Sequence, residues 1–505
     1  MKNKFFNNLL LTVLSLGFIG CEDYVDYEAS EGYTIVADDY FKTSADYEAA
    51  LVGTYDVLQW NIYSVMIGDI ASDNSFCGGE SATDVIGMQK IDDMIHVPNN
   101  DQLTSTWKWL YEGINRANYM IENKDKLDFS RKAELYGEVH FLRAYYYFEL
   151  VKIFGDVPLF TDSRLTASDS NTLTRAPKAS VYAQIETDLK AAIAALPAEK
   201  STDGRATAFT SHALLGKVYL YQDKFTEAAD ILEPLIGLYT LPSSLQSVFY
   251  NSGQNGPESV FEVQHSKNSN WYDWGFPQGS EGSFAIIHHG PRGYNGSVYA
   301  SGWSFNVPTQ DLYDSYDVTD TRRGVAILDI EAWAESTGAE YSKGYEHTGY
   351  FNHKYIPRAG LSGAQQELNY GINFRAIRYA DVLLMAAEAA AQSGGGSAIA
   401  YLNQVRFRAF GSSSHDYPYN GESDLIVAIA NERRLELAGE GHRFFDLVRT
   451  DKAKIAFDGY NATRPNPTSA TEINFTVNKN EVFPIPLVEL ELANAVGTWG
   501  QNQGY

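Results

Sequence analysis

Apolar residues recur every three or four positions along several stretches of the chain, and this spacing predicts amphipathic α-helices. Over residues 131–154 one stripe contains Leu135, Val139, Leu142, Tyr146, Leu150 and Ile153. Gly155 and Pro158 then end that helix. The same period predicts further helices over 180–196, over 210–236 with a break at 222–224, over 379–391, over 398–409 and from about 423 to 438.

One predicted helix pair has the residue spacing of a tetratricopeptide unit. Leu215, Gly216 and Tyr219 are followed by Ala228, and small residues at such positions let two paired helices approach closely. The helical stretches do not repeat at a fixed period. We therefore predict a mainly α fold in which tetratricopeptide-like helix pairs form a short, interrupted scaffold.

Two segments between the predicted helices have a different pattern. Residues 238–376 contain one alternating stretch, Ser259–Val263, which is typical of a strand, and short aromatic clusters separated by Gly, Asn, Ser and Pro. Residues 60–104 are similarly rich in loop-forming residues. Binding residues are often carried by insertions on a rigid scaffold. We predict one domain over 38–505 with loop-rich insertions at about 60–104 and 238–376, which carry a few short strands.

The first 37 residues predict export and anchoring. The apolar run at residues 9–20 follows two lysines and is too short to cross a bilayer core about 30 Å thick, so residues 1–20 are predicted to be a signal peptide. Cys21 directly follows Gly20, as in the bacterial lipobox, which predicts a lipid anchor on Cys21; cleavage nearby with a spare cysteine is the alternative. Residues 21–37 would form an acidic tether, which resembles a surface-export tag but is equally compatible with a plain linker.

The net charge argues against nucleic-acid binding, and the cysteine content argues against a disulfide. The 505 residues include 39 Lys and Arg against 64 Asp and Glu, which gives a net charge of −25. Nucleic acid is not an expected partner, because phosphate binding needs a dense basic footprint. With Cys21 acylated, Cys77 would have no partner for a disulfide.

An aromatic segment is the strongest candidate for a binding site. Between residues 271 and 303, seven glycines interleave with Trp271, Tyr272, Trp274, Phe276, Phe284, Tyr294, Tyr299 and Trp303. Aromatic faces pair with the apolar faces of sugar rings, while Asn, Asp and Arg bond the hydroxyl groups. We predict a sugar platform made by Trp271, Tyr272, Trp274, Tyr294 and Trp303, with hydrogen bonds from Asp73, Asn74 and Arg292. A loop folded over its own aromatic residues is the alternative for the segment, and turn capping is the alternative for Asp73 and Asn74.

Metal binding and hydrolysis have weaker support in the sequence than sugar binding. The adjacent His288 and His289 lack further ligands at metal-binding spacing, and the aspartates from 311 to 320 lack the pattern of a calcium loop. No hydrolase motif is present, although the paired carboxylates of a glycosidase rarely show in one sequence. We expect no catalytic residue, no metal and no cofactor.

Three segments together resemble the SusD/RagB family of surface glycan-binding lipoproteins. They are RAYYYFEL at 143–150 with FGDVPL at 154–159; RYADVLLMAAEA at 378–389 with LNQVR at 402–406 and ERRLELAGEGHRFFDLVR at 432–449; and PIP at 484–486 with EL at 489–490 and QNQGY at 501–505. Trp499 and Gln503 stand where the family often has Leu and Pro, which affects only the packing of the tail. The resemblance covers nearly the whole predicted mature chain.

The resemblance implies a lipoprotein on the outer face of the outer membrane that binds an oligosaccharide and caps a SusC-like TonB-dependent transporter without catalysis. A transporter-capping subunit with peptide or other nutrient cargo is the first alternative, and an extracellular glycosidase is the second. The charged motif residues are expected to form a paired network that ties helices together, because buried charges must be paired; they are Glu432, Arg433, Glu436, Arg443, Asp446 and Arg449.

Overall fold

The computed structural model describes residues 40–60, 62–165, 173–198, 203–250, 253–268, 281–363, 368–458, 460, 465, 473–494 and 499–505. The predicted signal peptide, Cys21 and the whole acidic tether lie outside these ranges. The α-helices within them are α1 Ser44–Trp60, α2 Ile62–Ile70, α3 Ile86–Asp92, α4 Asp101–Glu122, α5 Lys132–Phe154, α6 Lys178–Ala195, α7 Ala208–Leu220, α8 Phe225–Leu232, α9 Gln246–Phe249, α10 Gln310–Asp314, α11 Arg323–Ala326, α12 Ile330–Thr337, α13 Tyr379–Ser393, α14 Ala398–Phe410, α15 Glu422–Glu436, α16 Arg443–Arg449, α17 Ala453–Phe457 and α18 Leu487–Asn494.

The strands are short and pair two by two. They are β1 Ser75–Phe76, β2 Val157–Pro158, β3 Arg175–Ala176, β4 Ser259–Val263, β5 Arg292–Asn295, β6 Val307–Pro308, β7 Ile327–Asp329, β8 Glu340–Ser342, β9 Tyr350–Asn352 and β10 Phe374–Arg378. The pairs are β1 with β6, β2 with β3, β4 with β10, β5 with β8 and β7 with β9, all antiparallel. The mainly α fold class predicted from the sequence is thus confirmed. Among the described residues, no helix combines the length and the apolar character that a membrane span needs.

The long helices pack one against the next in chain order. Helix α1 packs on α4, α4 on α5, α5 on α6, α6 on α7 and α7 on α8. Helix α8 then packs directly on α13, which also contacts α14 and α15. The helical scaffold is therefore continuous, although the second insertion separates α8 from α13 in sequence.

The predicted close approach within the tetratricopeptide-like pair is confirmed at Gly216. A Cβ atom built at this position would lie 2.4 Å from Cδ2 of Leu232, so even an alanine would force α7 and α8 apart. Ala228, the small residue on the facing helix, is fully buried. The spacing read from the sequence therefore reflects a real limit on side-chain volume between these helices.

Helix α5 is more deeply enclosed than its predicted single apolar stripe implies. Its neighbours bury polar residues on the other faces as well, among them Glu138, Arg143 and Glu149. Arg143 is tied by two hydrogen bonds to Asp188 at 2.8 and 2.7 Å and by a third to Asn118 at 2.7 Å. A buried charge needs a partner of opposite sign, and Arg143 has its partner, Asp188, on α6.

The two insertions form one body, which we call the insertion unit and define as the described parts of residues 60–104 and 238–376. Strand β1 of the first insertion pairs with β6 of the second, and Asn306 donates to Asp69 at 2.7 Å. Within residues 60–104, which the sequence predicts to be loop-rich, the structure also has the helices α2 and α3. Strand β4 was predicted with the bounds that the structure gives it.

A buried ion network fixes the insertion unit to the scaffold. Arg378, at the end of β10, donates to Glu258 at 2.7 Å and to Glu440 at 2.8 Å, and its guanidinium lies 2.5 Å from Glu436. Lys354 of the insertion unit lies 2.6 Å from Glu440. Although burial by itself raises the pKa of Glu436, the guanidinium groups of Arg408, Arg378 and Arg322 hold that pKa well below its usual range.

The other motif charges are paired as predicted. The pairs join Arg322 to Glu432, Arg433 to Asp381 and Asp446, Arg443 to Asp73, and Arg449 to Glu388 and Asp446. The prediction of a structural charge network is therefore confirmed. These residues hold helices together and do not line an open site.

Replacing Glu436 by glutamine tests how much this network contributes to the stability of the fold. Glu436→Gln should lower the free energy of unfolding by about 3–5 kcal/mol, because it leaves buried guanidinium groups without their counter-charge. Glu422→Gln, on an exposed position of the same helix, should stay within about 0.5 kcal/mol of the parent. Urea unfolding followed by circular dichroism measures both; equal stability of the two variants would contradict the assignment.

Candidate functional site

The two insertions meet at an exposed junction that contains an ion pair. Gly79 N–H donates to the carbonyl of Ser304 at 2.7 Å, and Tyr345 N–H donates to the carbonyl of Gly79 at 2.9 Å. A Cβ at Gly78 would lie 2.0 Å from the Ser304 oxygen, so glycine is required for this approach. The contact brings Asp84 to within 2.5 Å of Arg292, with about a quarter of each side chain exposed.

Trp303 lies at the edge of this junction. Its ring packs edge-on against Phe284 and His288, with centroid distances of 5.5 and 5.3 Å. The side chain is only half-buried. Trp303 is thus held in a fixed orientation without being fully buried.

Tyr294 lies inward instead. It is 8% exposed, its ring packs against Tyr299 at 5.5 Å, and its hydroxyl accepts a hydrogen bond from Trp333 at 3.0 Å. Here the structure shows the alternative arrangement, a small core under the loop. Tyr294 packs beneath this loop, and its contact with ligand stays a prediction.

Asp73 and Asn74 have partners within the chain. Both carboxylate oxygens of Asp73 accept from Arg443, at 2.7 and 2.8 Å, and Oδ1 of Asn74 accepts from Arg434 at 2.7 Å. Burial by itself raises the pKa of Asp73, yet the hydrogen bond from Arg443 and the charge of Arg434 lower it overall. The structure gives both residues a bracing role between the first insertion and the C-terminal helices; contact with ligand stays a prediction.

Trp271, Tyr272 and Trp274 lie outside the described residues. The described residues on either side of that segment are adjacent in space, because Ser266 N–H donates to the carbonyl of Glu281 at 2.7 Å. His288 and His289 are buried, and burial lowers their pKa values to about 4 and about 3.

A cavity of about 310 Å³ lies in the insertion unit, and the sequence patterns did not indicate it. We call it the basic cavity, because Lys267, Lys354, Arg358 and Arg375 line it. Its other described lining residues are Phe249, Gln254, His265, Ser266, Asn268, Leu361, Gly371 and Ile372. The four cations come from two stretches nearly ninety residues apart, so no local motif could have revealed the cluster.

Comparison with known families now identifies the group to which the chain belongs. Residues 328–505 match the family model described as the SusD family, and residues 42–220 match the one described as starch-binding associating with outer membrane. A solved laminarin-binding SusD-like protein is 36% identical and superposes with a TM-score of 0.81 over 92% of this chain and 100% of its own. The chain belongs to the SusD/RagB family.

Other SusD/RagB relatives cover almost the whole chain. Surface glycan-binding protein A from Bacteroides thetaiotaomicron, solved in complex with laminarihexaose, is 28% identical with a TM-score of 0.79 and covers 91% of this chain and 99% of its own. SusD-like protein P2 of Formosa agariphila is 28% identical over 95% of this chain and 96% of its own. The two family matches leave residues 221–327 between them, and this interval contains Arg292, Trp303 and the predicted aromatic segment.

Asp69 gives the insertion unit a pH-dependent contact. It is 1% exposed and accepts from Asn306 at 2.7 Å and from the Gly441 N–H at 2.9 Å. Burial raises its pKa to about 7. Between about pH 4 and pH 7 the folded state keeps a proton that the unfolded chain, with a pKa of about 3.9, has released. This group therefore contributes stability at low pH that is lost as the pH rises to about 7.

The variant Asp69→Asn should remove this titration. Its amide can donate to Oδ1 of Asn306, for which the described part of the chain offers no hydrogen-bond partner. We expect the free energy of unfolding of Asp69→Asn, relative to the parent, to rise between pH 5 and pH 8 in urea titrations. Asp311→Asn, whose parent side chain is 57% exposed, serves as control and should show a constant difference. A constant difference for Asp69→Asn would contradict the role of burial.

Proposed function

We propose that this protein captures oligosaccharides at the cell surface without cleaving them and delivers them to a SusC-like TonB-dependent transporter. One observation carries the proposal: the chain shares nearly its whole length and fold with a surface glycan-binding protein that was solved with laminarihexaose bound. The proposed ligand class is therefore a glycan, and laminari-oligosaccharides are the first to test.

The proposed binding face is the exposed junction of the insertion unit. Trp303 offers part of an indole face, and the Asp84–Arg292 pair offers acceptors and donors for hydroxyl groups. Trp271, Tyr272 and Trp274 extend the platform in this proposal on the strength of residue type and place in the chain. Asp73 and Asn74 are weaker members, because arginines already occupy their acceptor oxygens.

The ion network formed by most of the buried motif carboxylates supports binding without catalysis. A general acid for glycoside cleavage needs a raised pKa and access to the substrate. Asp69, whose pKa is raised to about 7, is enclosed at 1% exposure, whereas Asp56, whose pKa is raised to about 6, is partly exposed and lies 3.3 Å from Arg116. The carboxylates of the ion network are paired with arginines and lysines, which suits them to hold the fold together.

The proposed location is the outer face of the outer membrane, with a lipid anchor on Cys21. The signal-like run at residues 9–20 and Gly20-Cys21 support the anchor, and the family description of association with the outer membrane supports the compartment. The acidic stretch after Cys21 would then serve as a tether between the lipid and the folded domain.

Titration calorimetry of the purified protein with laminarihexaose, other oligosaccharides and peptides tests the function. We expect Trp303→Ala to weaken glycan binding about tenfold or more, because buried aromatic contacts dominate such interfaces. Trp109→Ala is the matched control, since Trp109 is a half-buried tryptophan on scaffold helix α4, and it should bind as the parent does.

The outcomes separate the candidate functions. Binding of peptides alone would favour the transporter-capping alternative, and release of product from a glycan would favour a glycosidase. Full affinity in Trp303→Ala, Trp271→Ala and Trp274→Ala would remove the aromatic platform from the account.

A further inference from the structure

The basic cavity carries positive charge that the described side chains do not neutralise. The Nζ atom of Lys267 donates to the carbonyl of Gly360 at 3.0 Å, and Arg358 donates to the carbonyl of His353 at 3.2 Å. These carbonyl partners carry no formal charge. Among the described residues, neither Lys267 nor Arg358 forms an ion pair with a carboxylate.

Arg375 is more deeply buried than Lys267 and Arg358. It is 1% exposed, and its two terminal nitrogens donate to the carbonyls of Asn373 and Val248 at 2.7 and 2.8 Å. Its Nε atom is buried and has no hydrogen-bond partner among the described residues. A buried guanidinium with neutral partners and a free donor is costly unless an anion joins it.

Two acidic groups near the cavity are already engaged. Lys354 is neutralised by Glu440 at 2.6 Å. The carboxylate of Glu262, which shares a smaller neighbouring cavity with Arg375, accepts from the Asn255 N–H at 3.1 Å and from Asn373 at 3.0 Å. Even with the uncancelled charge of Glu262 set against them, the charges of Lys267, Arg358 and Arg375 make the cavity net positive, in a protein whose total charge is −25.

Aromatic rings hold these cations in place. The guanidinium of Arg358 stacks on Tyr250 at 3.8 Å, and Phe249 lies under both Arg375 at 5.3 Å and Lys354 at 5.0 Å. Cation–π contacts of this kind orient a charge without cancelling it. The volume of about 310 Å³ is at the lower end of the range of about 300–1,000 Å³ for small-molecule sites.

We propose that the basic cavity binds the anionic group of a charged glycan, either the carboxylate of a uronic acid or a sulfate ester. The inference rests on the proposed function and adds a charge preference to it. Arg358 and Lys267 at the mouth would bond the anion first, since guanidinium and ammonium groups bond such oxygens strongly. Arg375 would supply its free Nε donor deeper in the cavity.

Calorimetry with three matched ligands tests the proposal: laminarihexaose, laminarihexaose oxidised to carry uronic acid carboxylates, and sulfated laminarihexaose. At low ionic strength, at least one anionic form should bind about tenfold more tightly than the neutral one, and added salt should reduce this preference. A preference for only one of the two forms identifies the anion.

The double variant Lys267→Gln with Arg358→Gln should lose the preference but keep the affinity for neutral laminarihexaose. The single variant Lys267→Gln should lose part of the preference for anionic ligands. Because Lys267 is exposed, this variant should fold normally, so its loss cannot be attributed to misfolding. Lys190→Gln with Lys454→Gln removes two exposed charges that do not line the cavity and should behave as the parent. Equal binding of all three ligands would overturn this inference alone, whereas no binding of any glycan would overturn the proposed function.

Discussion

The pairing of buried charge around Arg378 is the constraint on which the arrangement of the molecule depends. Arg378 ends strand β10, Glu258 directly precedes strand β4, and Glu436 and Glu440 belong to the C-terminal helical region. Each charge is almost fully enclosed, so separating any of them from its partners would leave an uncompensated ion in the interior. The insertion therefore has one favourable position on the helical scaffold.

The charged residues of the scaffold and of the insertion unit are used differently. The scaffold helices use their charged residues for internal pairs, as Arg143 with Asp188 and Arg449 with Glu388 show. The insertion unit, braced by the β1–β6 pair, leaves side chains such as Arg292 and Trp303 partly accessible. The loops of this unit can therefore vary without disturbing the ion pairs that hold the helices.

The sequence predicted the scaffold well, because each long helix combines a regular apolar period with a clear stop. It did not indicate α1 and α4, nor α2 and α3 within residues 60–104, which it predicts to be loop-rich. The paired role of the motif charges followed from the high cost of burying an isolated ion. The sequence could not predict which residues pair with each other, since partners such as Asp73 and Arg443 are 370 residues apart.

The candidate binding residues were harder to predict from the sequence than the scaffold helices, for a physical reason. In a glycine-rich segment the aromatic residues have no period that separates inward from outward positions, so Tyr294 and Trp303 look alike in sequence. The structure distinguishes them, because Tyr294 has a buried hydrogen bond from Trp333 and Trp303 lies at an edge. The basic cavity depends on residues brought together only by the fold.

The central claim is that ligand binds to the insertion unit while the helical scaffold only supports it. Hydrogen–deuterium exchange of the protein with and without laminarihexaose measures this most directly. The account predicts new protection in peptides that cover residues 79–86 and 281–305, and unchanged exchange in α5, α6 and α7. Protection confined to the scaffold helices, with none in the insertion unit, would contradict it.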